Sequence, residues 1–212
     1  MPTKSIDKTG VPMHGNARRL VLASTSRYRR MLLERLGLGF EAVAPHADET
    51  PLAGEAPAAT AFRLAAIKAQ SVAKAYPDAL IIGSDQVADC QGQPIGKPGN
   101  HENAVAQLRA LSGQTVVFHT GLALLDAATR SCQTALVDVR STFRHLTDDE
   151  IEGYLLREQP YDCAGSVRSE SLGIVLFERI ESDDPTALIG LPLIQLARML
   201  RAAGVIVLAP PP

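Results

Sequence analysis

Apolar residues run without a break through Leu20-Val21-Leu22-Ala23 and then recur at helical spacing at Leu32, Leu33 and Leu36. That change of period marks a strand feeding a helix. Ser24-Thr25-Ser26 lies at the junction and offers hydroxyl caps, and Gly37 supplies a stop. A second strand is expected near Phe40 to Ala44, followed by an acidic loop, Asp48-Glu49-Thr50-Pro51. From Thr60 to Ala75 the chain is alanine-rich, with Phe62, Ala65, Ala66, Ala69, Val72 and Ala73 at helical spacing and Lys68 among them. Ala79-Leu80-Ile81-Ile82, bounded by Pro77-Asp78 and Gly83, has the form of a strand buried on both faces, and it is expected to end at Ser84-Asp85-Gln86.

Beyond it, Gln91-Gly92 suggests a hairpin turn, and Gly96-Lys97-Pro98-Gly99 a rigid loop before a helix containing Ala104, Val105, Leu108 and Leu111. Thr115 to His119, Gly121 to Leu125 and Thr134 to Phe143 read as adjacent strands. Thr147-Asp148-Asp149-Glu150 is a capping box opening a helix to about Arg157. Ile174 to Glu178 is expected as a strand, and Pro192 to Ala203 as a helix closed by Gly204. Strands and helices alternate early and strands cluster late. The expected fold is therefore α/β, a mixed twisted sheet with flanking helices and two lobes around a central cleft.

Composition narrows the function classes. With 21 basic and 23 acidic residues in 212, the net charge of -2 favours neither a nucleic-acid polymer nor an anionic membrane as partner. Cys90, Cys132 and Cys163 are odd in number and widely spaced, which argues against a disulfide framework or zinc cluster and fits a reducing cytoplasm. Residues 1–19 are polar and lack a secretory apolar core, so they are expected to form a disordered extension to one domain over 20–208; the terminal prolines should fray. The apolar runs are too short to span a bilayer.

The chemistry concentrates in a few segments. A strand running through Ser24-Thr25-Ser26 into a helix that starts with Arg27, Arg29 and Arg30 has the build of an anion site, since the first N–H groups of a helix lack intrahelical partners. A capped surface helix with solvated arginines is the plainer alternative. Asp85 stands where a buried strand is expected to empty into a loop, a customary place for active groups in open α/β sheets. Alone it reads more commonly as a turn-forming or capping aspartate. With Asp48-Glu49, Lys68, Lys97 and the arginine-bearing turn it makes the set that phosphoryl chemistry needs: two carboxylates for a divalent cation, magnesium by default, and cations around polyphosphate oxygens. Each member has a duller reading as a solvated charge. There is no P-loop and no G-x-S-x-G elbow, and Cys163 reads better as a small packed residue than as a nucleophile.

Taken together, LVLASTSRYRRMLLERLG, the ADET loop, FRLAAIKA, IIGSDQV, GKP, LSGQTVVFHTGLAL, CAGSVRSESLG and GLPLI resemble the Maf-type nucleotide pyrophosphatases from about Leu20 to Gly204. The resemblance implies hydrolysis of the α–β bond of a nucleoside triphosphate with a divalent metal, Mg2+ or Mn2+, and a homodimer. It implies that Asp85 is the proton acceptor and a metal ligand with Glu49, and that Ser24, Arg29, Lys68 and Lys97 hold the polyphosphate. Three positions that sort substrates in the family match Tyr28, Gln86 and Glu170. That combination is similar to the 7-methyl-GTP branch, with tyrosine in place of tryptophan, rather than to the dTTP/UTP branch with its arginine, threonine and glutamine. An aromatic face attracts the cationic N7-methylated purine, and a glutamate accepts from its N–H edge. A non-catalytic nucleotide-binding regulator of cell division is the alternative from another class.

Overall fold

The computed structural model of the chain describes residues 18–208. Strand β1 (Leu20–Ala23) leads through Ser24 to Ser26 into helix α1 (Arg27–Glu34), and β2 (Glu41–Val43) returns parallel to β1. Helix α2 (Pro57–Ala73) precedes β3 (Leu80–Cys90), which lies parallel to β1 and turns back at Gln91-Gly92 into short β4 (Gln93–Ile95). Helix α3 (His101–Leu111) follows, then β5 (Thr115–Asp126) and β6 (Ser131–Phe143), antiparallel to their neighbours. Helix α4 (Asp148–Glu158), β7 (Phe177–Glu181) and helix α5 (Leu193–Ala202) complete the order. The strands form one mixed sheet in the order β2-β1-β3-β5-β6-β7, with β4 paired to β3. The expected α/β class with a mixed sheet and flanking helices is what the chain adopts.

Three apolar clusters show how the helices cover this sheet. One face of the β1–β3–β5 half packs Val21, Ile81 and Ala123 against Ala65, Ala69 and Val72 of α2. The opposite face packs Leu22, Ile82 and Leu122 against Leu32 and Leu33 of α1 and Leu196 and Leu200 of α5. Farther along the same long strands, Ala88, Phe118 and Val139 pack with Leu108 of α3 and Leu155 of α4. A cavity opens between these two ends of the sheet.

Several boundaries differ from expectation for identifiable reasons. Strand β3 does not end at Ser84; it continues to Cys90 because β5 pairs with it from Leu80↔Asp126 to Asp89↔Val117. Asp85 is therefore a mid-strand residue, not a loop residue. The same pairing merges the two stretches expected at Thr115 to His119 and Gly121 to Leu125 into β5. Residues Leu172–Leu176 form a 3-10 turn, so β7 starts at Phe177 instead of Ile174. Of the expected extension, only Arg18 and Arg19 fall within the described residues, and both are tied to the fold: Arg18 pairs with Asp126, and the Arg19 carbonyl accepts from the Leu80 amide. The expectations for residues 1–17 and for the terminal prolines lie outside the described residues. Among the described residues no helix is long and apolar enough to cross a membrane.

Candidate active site

Two glycines set the depth of the site. Helix α2 buries Ala61, Ala65, Lys68, Ala69 and Val72 on one face, and this small-residue stripe meets Gly83 of β3 and Gly121 of β5. A Cβ on Gly83 would lie 2.1 Å from the Ala65 carbonyl oxygen, and one on Gly121 would lie 2.1 Å from that of Ala61. Helix and sheet are thus in backbone contact, and the long Lys68 side chain is pressed onto β3. Asp85, which pairs with Gly121 in register, receives it: Lys68 Nζ donates to Asp85 Oδ1 at 2.6 Å. The same ammonium lies 2.8 Å from Glu49 Oε2. Lys68 and Asp85 are almost wholly buried, whereas Glu49 reaches in from an exposed loop. A buried ammonium needs such partners to keep its charge.

The arginine-bearing turn adjoins this cluster. Ser26 caps α1, its hydroxyl accepting from the Arg29 amide at 3.4 Å, and the buried Ser24 hydroxyl accepts from the Ser26 amide at 3.1 Å. The early N–H groups of α1 stay free of intrahelical bonds. Arg29 points inward, its Nε donating to the Gly190 carbonyl at 2.9 Å. Burial lowers its pKa, and the carboxylates of Asp85 and Glu49 oppose that shift. Of the three arginines at this helix start, Arg27 and Arg29 line the cavity, whereas Arg30 is exposed and is not part of its wall.

Ser24, Tyr28, Arg29, Glu49, Lys68, Asp85, Gln86, Lys97 and Glu170 all line one cavity of about 740 Å³. Lys97 stands apart from the carboxylates on the exposed loop after β4. That loop is held by bonds from Asn103 to the Pro98 carbonyl (3.0 Å) and from Gln107 to the Gly96 carbonyl (3.1 Å). Gln86 projects from the opposite face of β3 to Asp85. Its Nε2 faces three oxygens: Thr120 Oγ1 at 3.0 Å, Ala187 O at 2.8 Å and Leu188 O at 3.1 Å. Two of these are carbonyls that can only accept, which fixes the amide orientation and leaves Oε1 with no hydrogen bond among the described residues.

Tyr28 is half-buried, and the Arg27 and Arg168 guanidiniums lie 4.7 and 5.9 Å from its ring centroid. Glu170 stands at the open rim, where the adjoining wall desolvates its carboxyl and raises its pKa above the usual value. Burial, reinforced by Asp162, pushes the Cys163 thiol up to about 11, so it is a protonated wall group, as expected of a non-nucleophile.

Sequence reasoning missed three features, one in the cavity wall and two outside it. Glu55 is clamped by Arg63 Nε (2.6 Å) and Thr60 Oγ1 (3.0 Å), and the Arg63 hydrogen bond draws its carboxyl down to about 2. The spacing Glu55, Thr60, Arg63 across a helix start carried that signal. Ser84, fully buried, shares its one hydroxyl proton between Gly121 O and Gly190 O, each at 2.9 Å. Arg168 is held by Glu158 across the loop that carries Glu170. Nothing local in the sequence marks the last two.

A profile of the Maf-like protein family matches residues 19–203. The chain belongs to that family. Among its Maf-like relatives, a protein of Polaromonas sp. (strain JS666 / ATCC BAA-500) named 7-methyl-GTP pyrophosphatase is 60% identical over 193 residues, which are 91% of this chain and 88% of that one. A protein of the same name from Thiobacillus denitrificans is 59% identical over 192 residues, 91% of this chain and 96% of its own. The Ham1 protein of Staphylococcus aureus, a solved structure, is similar with a TM-score of 0.43 and 15% identity over 59% of this chain and 72% of that chain.

Proposed function

We propose that this Maf-like protein hydrolyses the α–β phosphoanhydride of 7-methyl-GTP to 7-methyl-GMP and diphosphate. The observation that carries the proposal is a single cavity lined both by a Lys68-bridged carboxylate pair beside a helix start and by an aromatic ring with two acceptor side chains. Relatives near 60% identity that bear this activity in their names support it.

Ser24, the α1 amides, Arg29, Lys68 and Lys97 would solvate the triphosphate and offset charge on the leaving diphosphate. Asp85 has Oδ1 engaged by Lys68, so Oδ2 is the atom that takes a proton from water as the water oxygen bonds to the α-phosphorus and the bond to diphosphate breaks. The donor set also bears on a metal. Among the described residues no group of three or more His, Cys, Asp and Glu side chains could hold an ion. Two carboxylates, Glu49 and Asp85, would hold a Mg2+ or Mn2+ ion. Such an ion would lower the pKa of a water and offset phosphate charge.

Oε1 of Gln86 and the carboxylate of Glu170 are acceptors for the N–H edge of guanine. The guanidinium stacked on Tyr28 supports the view that this ring face suits planar cations, and N7 methylation makes the purine one. Three free cysteines suit a reducing compartment, and we place the protein in the cytoplasm.

The test is diphosphate release across 7-methyl-GTP, GTP, dTTP and UTP with Mg2+. The expected result is a kcat/KM for 7-methyl-GTP at least about tenfold above the others, the scale that a few differential contacts supply. Equal rates, or faster dTTP and UTP, would remove the substrate assignment.

A further inference from the structure

The loop that presents Glu170 to the cavity is closed on one carboxylate. Glu158, the last residue of α4, is mostly buried, and its Oε2 accepts from Arg168 Nη1 at 3.2 Å and from Ser171 Oγ at 2.8 Å. Its Oε1 accepts from the Leu172 amide at 3.1 Å. Arg168 Nη1 also donates to the Glu158 carbonyl at 2.8 Å, and the Arg168 amide donates to the Tyr154 phenolic oxygen at 3.0 Å. The far side is as tight: the Gly173 amide donates to the Arg168 carbonyl at 3.0 Å, and a Cβ on Gly173 would lie 2.4 Å from that oxygen. Residues 168–173 therefore form a small ring whose ends meet, with Ser169 and Glu170 at its exposed edge and in the cavity wall.

We propose that Glu158 is a positioning residue for base selectivity: by gathering Arg168, Ser171 and Leu172 it holds the loop in the shape that carries Glu170 to the base. The inference rests on the reading above in which Glu170 meets the base. Glu158 itself touches no substrate and does not line the cavity. Its effect differs from that of a general stabiliser, because the loop it closes shares no element with Lys68 of α2 or Asp85 of β3.

Glu158→Gln keeps the shape and removes the charge from three hydrogen bonds. Two readouts on the full chain test the idea. Amide hydrogen exchange at Leu172 and Gly173 should quicken in the variant, a measurement independent of any activity. The ratio of kcat/KM for 7-methyl-GTP over GTP should fall roughly tenfold, the scale of weakening charge-assisted hydrogen bonds, mainly through KM for 7-methyl-GTP and with kcat for GTP unchanged. Ser171→Ala, which removes one contact, should shift both readouts the same way by less and guards against a Glu158 variant that fails to fold. Unchanged exchange would overturn the brace. Faster exchange with an unchanged ratio, while Glu170→Gln lowers it, would overturn the link to selectivity. A ratio insensitive to Glu170→Gln as well would overturn the role of Glu170, and the proposal with it. Absence of 7-methyl-GTP turnover in the unaltered protein would instead be the failure of the function reading, with the exchange result still deciding the brace.

Discussion

Around Lys68 the cavity's side chains stand on a helix and a strand pressed backbone to backbone; around Glu170 they stand on a loop closed by side-chain hydrogen bonds. The first construction leaves no room for adjustment, since α2 can approach β3 and β5 only where Gly83 and Gly121 lack a side chain. It suits charge chemistry, where fixed donors gain most from being held in place. The second can be altered one contact at a time without disturbing the sheet. On the proposed function, the contrast makes phosphate chemistry and base choice mechanically separable within one cavity.

The strongest way to break that contrast is at Asp85. Asp85→Asn should lower kcat by about 10²–10⁴-fold, the usual worth of a positioned general base, in a chain that still folds but with a lower Tm, because the buried Lys68 ammonium loses a charged partner. Activity within a few-fold of the parent would remove Asp85 from its proposed role. Next comes Gly121→Ala, whose new methyl meets the Ala61 carbonyl and must push α2 away. Overpacking of this kind costs about 1–3 kcal/mol, read as a lower Tm. If the two regions are separable, the surviving enzyme should lose kcat on every nucleotide but keep its selectivity.

Glu170→Gln is the mirror experiment, with a selectivity loss of about tenfold and unchanged kcat on GTP. The raised pKa of Glu170 adds a pH signature. Its ionised form must face the cationic base, so KM for 7-methyl-GTP should climb as pH falls through a value above the ordinary 4.5, while KM for GTP, which shares the N–H edge but not the charge, should climb by less. A raised carboxyl pKa also means that the folded state holds the proton more tightly, so stability falls as pH rises through that window and Glu170→Gln does not destabilise the fold. Glu55 has the opposite sign: its carboxyl at about 2 contributes stability that is complete above the unfolded value and is lost as pH falls toward 2, which a carboxyl NMR titration would follow. The smallest expected effect is at Gly153 on α4, where a Cβ meets nothing within 4 Å. Gly153→Ala should stabilise by about 0.5–1 kcal/mol and leave both regions of the cavity untouched.

Much of this was legible from residue patterns. The capping box at Thr147 and Glu150 and the turn at Gln91-Gly92 are local features, and local chemistry decides them. The extension of β3 through Asp85 was not legible, because Ser84-Asp85-Gln86 has turn-forming composition and is held in a strand only by β5, far along the chain. Lys68 could be placed on a helix but not on its buried face, since a lysine there is tolerable only with Asp85 and Glu49 brought to it. The commitment of Gln86 Nε2 to carbonyls of the Pro185–Ile189 turn was likewise invisible, as it joins residues about a hundred positions apart.

The most direct test of this division of one cavity is a crystal structure of the Asp85→Asn variant with 7-methyl-GTP and Mg2+. The account predicts the triphosphate against Ser24, Arg29 and Lys68, with the base on Tyr28 and its N–H edge toward Gln86 and Glu170. A base bound at the Glu49 side, or a triphosphate reaching toward Glu170, would contradict it.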